Sequence, residues 1–165
     1  MSRYNKIRKM DISNGPGIRV SIFLQGCEFH CEGCFNGDTH DFNGGQEFTD
    51  KELNEILDLA KYDYIVGLSI LGGEPLHPKN VETTKLIAKA FKEKYPSKTV
   101  WIWSGYKFEN LNDNQISVLE YTDVLVDGQF EIAKKDLHLK YAGSSNQRAI
   151  DINKTVENKA LTFYE

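Results

Sequence analysis

The chain has 165 residues, 20 Lys+Arg against 24 Asp+Glu, and a formal net charge of -4. Hydrophobic residues make up 40% and charged residues 27%, which is ordinary globular composition and argues against a disordered chain. There is no basic footprint for nucleic acid, no apolar run near the ~20 residues of a membrane span, and no signal-peptide stretch in Met1–Lys6, so a single cytoplasmic domain over 1–165 with neither nucleic acid nor membrane as partner is expected.

Asn14-Gly15-Pro16-Gly17 reads as a turn ahead of a first strand, Ile18 to Leu24, rich in β-branched and aromatic residues. Thr49-Asp50-Lys51-Glu52 is a capping box, with Phe48 and Leu53 as its hydrophobic staple. Leu53, Ile56, Leu57 and Ala60 then recur on one helical face. Ile65 to Ile70 is a second strand, and residues 80–95 a second helix with Ile87, Ala90, Phe91 and Tyr95 along one stripe. Thr99 to Trp103 is a third strand, whose Trp101 and Trp103 share a face and are expected to pack in the core or beside the site. Asn112 to Gln115 is another capping box, with Leu111 and Ile116 as its staple, opening a helix over about 112–120. Asp123 to Val126 is a fourth strand. The order β-α-β-α-β-α-β predicts an α/β fold with a mainly parallel sheet and helical crossovers. Beyond residue 129 the pattern weakens, and residues 150–165 carry no readable functional signal.

The three cysteines, Cys27, Cys31 and Cys34, lie within eight residues, spaced C-x3-C-x2-C. An odd, clustered set is a poor disulfide framework and a better metal or cofactor site. Iron–sulfur clusters take four thiolates, so three would leave one iron open, the mark of a catalytic site. Zinc competes, with His30 or His40 as a fourth ligand, in a stabilised binding module without turnover. An electron carrier with a non-Cys fourth ligand is a third reading. Three further glycine-bearing clusters sit at strand C-terminal ends: Leu71 to Pro75, Ser104 to Tyr106, and Asp127 to Gln129. That edge of a parallel sheet is where ligands bind, although βα turns need glycine in any case.

The cysteine loop followed by Gly72-Gly73-Glu74-Pro75 resembles the radical S-adenosylmethionine (SAM) superfamily. Further stretches narrow the likeness. They are Asp11 to Gly17, Gly26 to Asn36, Leu71 to Pro78, Trp101 to Tyr106, Val124 to Gly128 and Gly143 to Gln147. Together they resemble the anaerobic ribonucleoside-triphosphate reductase-activating proteins over residues 4–150. Phe35 stands where that family often has Tyr, Glu74 where some members carry Asp, and Ala142 where a basic residue is common.

The resemblance implies a partial (β/α) barrel and an activating enzyme. Cys27, Cys31 and Cys34 would ligate three irons of a [4Fe-4S] cluster, and SAM would chelate the fourth. Reductive SAM cleavage would create a glycyl radical on the anaerobic ribonucleoside-triphosphate reductase. A flavodoxin-type reductant and a homodimer are also implied, and a different glycyl-radical enzyme or a small metabolite is the alternative substrate. SAM contacts fall on Gly33, Cys34, Phe35, Gly72, Gly73, Glu74 and Ser104. For each there is a plainer role: Phe35 as a core aromatic, Ser104 as a loop cap, Glu74 as a loop brace, Gly72 and Gly73 as turn formers. Asp127 is balanced between contacting ligand and satisfying turn amides. His30 is expected to pack or hydrogen-bond beside the cluster.

Overall fold

The computed structural model describes residues 2–165. Among them, seven strands form one sheet: β1 (Arg3–Asp11), β2 (Ile18–Leu24), β3 (Gln46–Glu47), β4 (Ile65–Gly72), β5 (Thr99–Ser104), β6 (Val124–Asp127) and β7 (Arg148–Asp151). The helices are α1 (Asp50–Leu59), α2 (Val81–Lys94), α3 (Asp113–Val118) and α4 (Ile152–Asn158). None is long and apolar enough to cross a membrane.

The strand order is β3-β1-β2-β4-β5-β6-β7. The centre, β2-β4-β5-β6, is parallel, while β1 against β2, β3 against β1 and β7 against β6 are antiparallel. The expectation of a mainly parallel sheet is therefore corrected: parallel and antiparallel pairings are three each. The reason is connectivity. Only the turn 12–17 separates β1 from β2, and a parallel return needs a crossover of about a dozen residues or more.

Both capping boxes form as read. The Glu52 carboxylate accepts from the Thr49 amide at 2.9 Å, and Gln115 and Asn112 exchange two 2.9 Å bonds. On α2 the buried stripe is Ile87, Ala88 and Phe91; Ala90, expected there, is only half-buried. Ile116, expected to staple α3, is largely exposed while Leu111 is buried.

The two sheet faces differ, because alternate residues of a strand point opposite ways. Val20, Ile22 and Leu24, with Leu68, Ile70, Val100, Ile102 and Leu125, pack under the helices against Ile56, Ile87, Phe91 and Val118. Trp101, Val124 and Val126 form a second cluster, joined by Trp103, Tyr141 and Tyr164. The other residues of the parallel strands, Phe23, Leu71 and Trp103, line a large cavity. The fold therefore leaves the C-terminal ends of the parallel strands open beside this second face.

Candidate active site

A cavity of about 710 Å³ opens at those strand ends. The cysteine loop, leaving β2, forms one wall. It is held by backbone bonds from Gly26 N to Thr39 O (2.7 Å) and Cys27 N to His40 O (3.0 Å). Gly26 has φ +105°, and a Cβ there would lie 2.1 Å from the Phe42 ring, so glycine is required where the loop turns off the strand. The three thiols are free and all face the cavity, with Cys27 buried and Cys31 and Cys34 half-buried. Burial raises the pKa of Cys27 and of Cys31, and neighbouring Cys34 raises Cys31 further. Metal binding at these thiols must therefore expel protons.

Among the described residues, no three His, Cys, Asp or Glu side chains gather tightly enough to hold a metal ion. His30 and His40, the zinc candidates, face each other with Nδ1 atoms 3.3 Å apart. Burial, then the His30 ring, lowers the pKa of His40. The donor set is three soft thiols on one wall with open cavity beside them. It fits an iron–sulfur cluster held from one side, with room for a small organic molecule next to it.

The β4 turn forms the adjoining wall. Gly72 (φ +106°) and Gly73 line the cavity. A Cβ on Gly72 would sit 2.7 Å from Leu24 backbone atoms, and one on Gly73 would sit 2.4 Å from Gly26 O. The glycines thus let the two strand exits nest, and the amides of Gly73 and Glu74 donate to Leu24 O and Gly26 O at 2.8 and 2.7 Å. Glu74 is buried. Its carboxylate accepts from the amides of Leu76 (2.8 Å) and Gly105 (2.6 Å) and from the Ser104 hydroxyl (2.8 Å). The Ser104 oxygen in turn accepts from the Tyr106 amide at 3.1 Å. Both side chains act as loop braces that also line the cavity.

Phe35 is 57% exposed, which removes the core-aromatic reading; its ring lines the cavity 5.1 Å from Phe130. Gly33 (φ +70°) packs toward Ile132 and is absent from the cavity lining. Asp127 is buried below the rim, accepting from the Phe108 amide (2.8 Å) and Arg148 Nε (3.0 Å), which is the turn-satisfying role.

A family model described as a 4Fe-4S single cluster domain matches residues 13–150. The anaerobic ribonucleoside-triphosphate reductase-activating protein of Enterobacteria phage T4 is 41% identical over 147 residues, 88% of this chain and 91% of that one. Its counterpart in Salmonella typhimurium is 40% identical over 148 residues, 88% of this chain and 96% of that one. That of Escherichia coli K12 is 40% identical over 148 residues, 87% and 95% of the two chains. The chain belongs to this family. It is accordingly an iron–sulfur enzyme of the radical SAM type.

Sequence reasoning missed part of this family member's cavity wall. Arg8 of β1, Ser13 and Asn14 of the following turn, Phe130 after β6, and Tyr141 all line it. The Asn14 turn carried a visible signal, since Asp11 to Gly17 stood out in the sequence. Asp11 anchors that turn, accepting from the Ser13 amide and Asn14 Nδ2, both at 2.8 Å. Gln129, which also lines the cavity, was visible as the end of the Asp127 to Gln129 cluster, whereas Phe130 and Tyr141 carried no signal, because what places them lies on other segments.

Proposed function

We propose that this protein activates an anaerobic ribonucleoside-triphosphate reductase by reductive cleavage of SAM, generating the glycyl radical of that partner. The observation that carries the reading is three free thiols on one loop, lining a single cavity together with the neighbouring Gly72-Gly73 turn. In this reading Cys27, Cys31 and Cys34 would hold a [4Fe-4S] cluster through three of its irons, with SAM bound beside it. A cluster bound there would supply the electron for reductive cleavage of SAM, the chemistry that would let hydrogen be taken from a glycine of the reductase.

The chain's own residues position and shield that chemistry. Gly72 and Gly73 offer backbone to the SAM amine, and Phe35 offers a ring face to its adenine. Gly33 sets the turn that aims Cys34. Glu74 and Ser104 hold the β4 and β5 turns in register rather than reaching out as free ligands, since their polar atoms are already engaged. Phe23, Leu71 and Trp103 make an apolar floor that keeps water from a reactive radical. The parallel strands β2-β4-β5-β6 then serve as a partial barrel, and the open mouth is closed by the reductase. A flavodoxin-type donor as reductant and a homodimer as the working form belong to the same reading.

Anaerobic reconstitution with iron and sulfide, reduction, and addition of SAM test it. Cluster-loaded protein should yield 5′-deoxyadenosine, and Cys27→Ala, Cys31→Ala and Cys34→Ala should each abolish the product. A protein that holds four irons and four sulfides yet makes none, with the reductase present, would overturn the reading.

A further inference from the structure

The segment Gly143 to Arg148 is a clamp on the turn that follows β6. Asn146 Nδ2 donates to Gln129 O at 2.8 Å, and Gln147 Nε2 donates to Gly128 O at 2.9 Å. The other end of the Gln147 amide accepts from the Gly143 and Ser144 amides at 2.8 and 3.1 Å. Ser144, fully buried, accepts from the Glu131 amide at 3.1 Å. Gly128, Gln129 and Glu131 are thus each pinned through the backbone.

The pinned turn faces Cys31. The Cys31 thiol lies 3.8 Å from Gln129 Oε1 and donates to it. A thiolate bound to metal has no proton to give and becomes an acceptor. Turning the terminal Gln129 torsion by half a revolution exchanges oxygen for NH₂ at the same place. The contact then reverses direction, from S–H···O to N–H···S.

We propose that Gln129 donates a side-chain hydrogen bond to the Cys31 sulfur when that sulfur is a cluster ligand, raising the cluster's reduction potential, with Asn146 and Gln147 positioning it. This rests on the reading of Cys31 as a ligand. Reduction adds negative charge that spreads onto the ligand sulfurs, so a donor there stabilises the reduced state more than the oxidised one.

The test is a redox titration of the reconstituted full chain, followed by the electron paramagnetic resonance of the reduced cluster, without SAM. Gln129→Met keeps the length and removes the donor. At a fixed potential its reduced-to-oxidised ratio should fall about tenfold, about 59 mV for a one-electron couple. Gln129→Glu places an anion beside the sulfur and should fall further. Gln129→Lys restores a donor and should match or exceed the wild type. A role in packing alone would not produce that order. Unchanged potentials in Met and Glu variants of full iron and sulfide content would overturn the proposal, as would an equal fall in all three. A wild-type protein without a four-iron cluster, or a Cys31→Ala variant that keeps one with unaltered potential, would overturn the ligand reading itself, and this inference with it.

Discussion

The Glu74 carboxylate crosses from the β4 turn to the β5 turn and accepts a 2.6 Å hydrogen bond from the Gly105 amide. With the Ser104 hydroxyl and the Leu76 amide on its other oxygen, it ties the two glycine-bearing turns that line the cavity into one unit. Burial pushes its pKa up to about 7 from the usual 4.5, against the opposite pull of those three donors. The folded protein therefore binds this proton more tightly than the unfolded chain. Stability falls as pH rises from about 4.5 to about 7, by on the order of 3 kcal/mol, and the penalty is complete above that window. Urea denaturation of the metal-free protein across this range should show the fall, and Glu74→Gln should flatten it. An unaltered slope in the variant would mean that Glu74 does not titrate there.

Gly73 and Gly37 give opposite expectations for the same substitution. A Cβ at Gly73 meets the Gly26 carbonyl oxygen at 2.4 Å, backbone against backbone, whereas one at Gly37 meets nothing within 4 Å. Gly73→Ala should cost about 1–3 kcal/mol, since the two strand exits must separate, and should weaken SAM binding with it. Gly37→Ala should stay within about 0.5 kcal/mol of the wild type. Chemical denaturation and equilibrium binding of SAM to the cluster-loaded protein check both.

Arg19 is fully buried, with no carboxylate among its hydrogen-bond partners. Its guanidinium donates to Ser69 Oγ at 2.8 Å and to Leu68 O, Thr99 O and Thr99 Oγ1 at 3.0 Å each. Burial lowers its pKa to about 10, so it remains charged at neutral pH. Ser69 Oγ in turn donates to Asn14 O at 2.7 Å, which links this buried cation to the turn lining the cavity. Arg19→Ala strands these acceptors and opens a cavity, and should cost about 3–5 kcal/mol. Arg19→Lys should recover only part of it, because an ammonium cannot reproduce the planar fork. A loss under 1 kcal/mol in urea denaturation of Arg19→Ala would contradict this account.

What could be read from the residues was local. The branched run of β2 and the capping boxes at Thr49 and Asn112 specify their own elements within a few positions, and the structure keeps them. The strand β1 escaped because Lys6, Arg8 and Lys9 give it no apolar alternation. It becomes a strand by pairing with β2, and Lys6 and Arg8 each lie 4.8 Å from the Phe23 ring centre. The C-terminal segment likewise depends on distant partners. Tyr164 packs edge-on to Trp101 at 4.9 Å, and its amide donates to Ala149 O at 2.9 Å. In the site, the cysteine spacing and the Gly-Gly-Glu turn were visible as motifs. The engagement of Glu74 with Gly105 was not, since it joins positions 31 residues apart. Asp127 resolves the same way, toward Arg148 on the strand beside it.

The central claim is tested most directly on the partner. The cluster-loaded protein, a reductant and SAM are mixed without oxygen with the anaerobic reductase, and the reductase is examined by electron paramagnetic resonance. The account predicts a glycyl-radical signal that requires all three components and is absent with Cys27→Ala, Cys31→Ala or Cys34→Ala protein. Formation of 5′-deoxyadenosine with no glycyl radical on the reductase would contradict it.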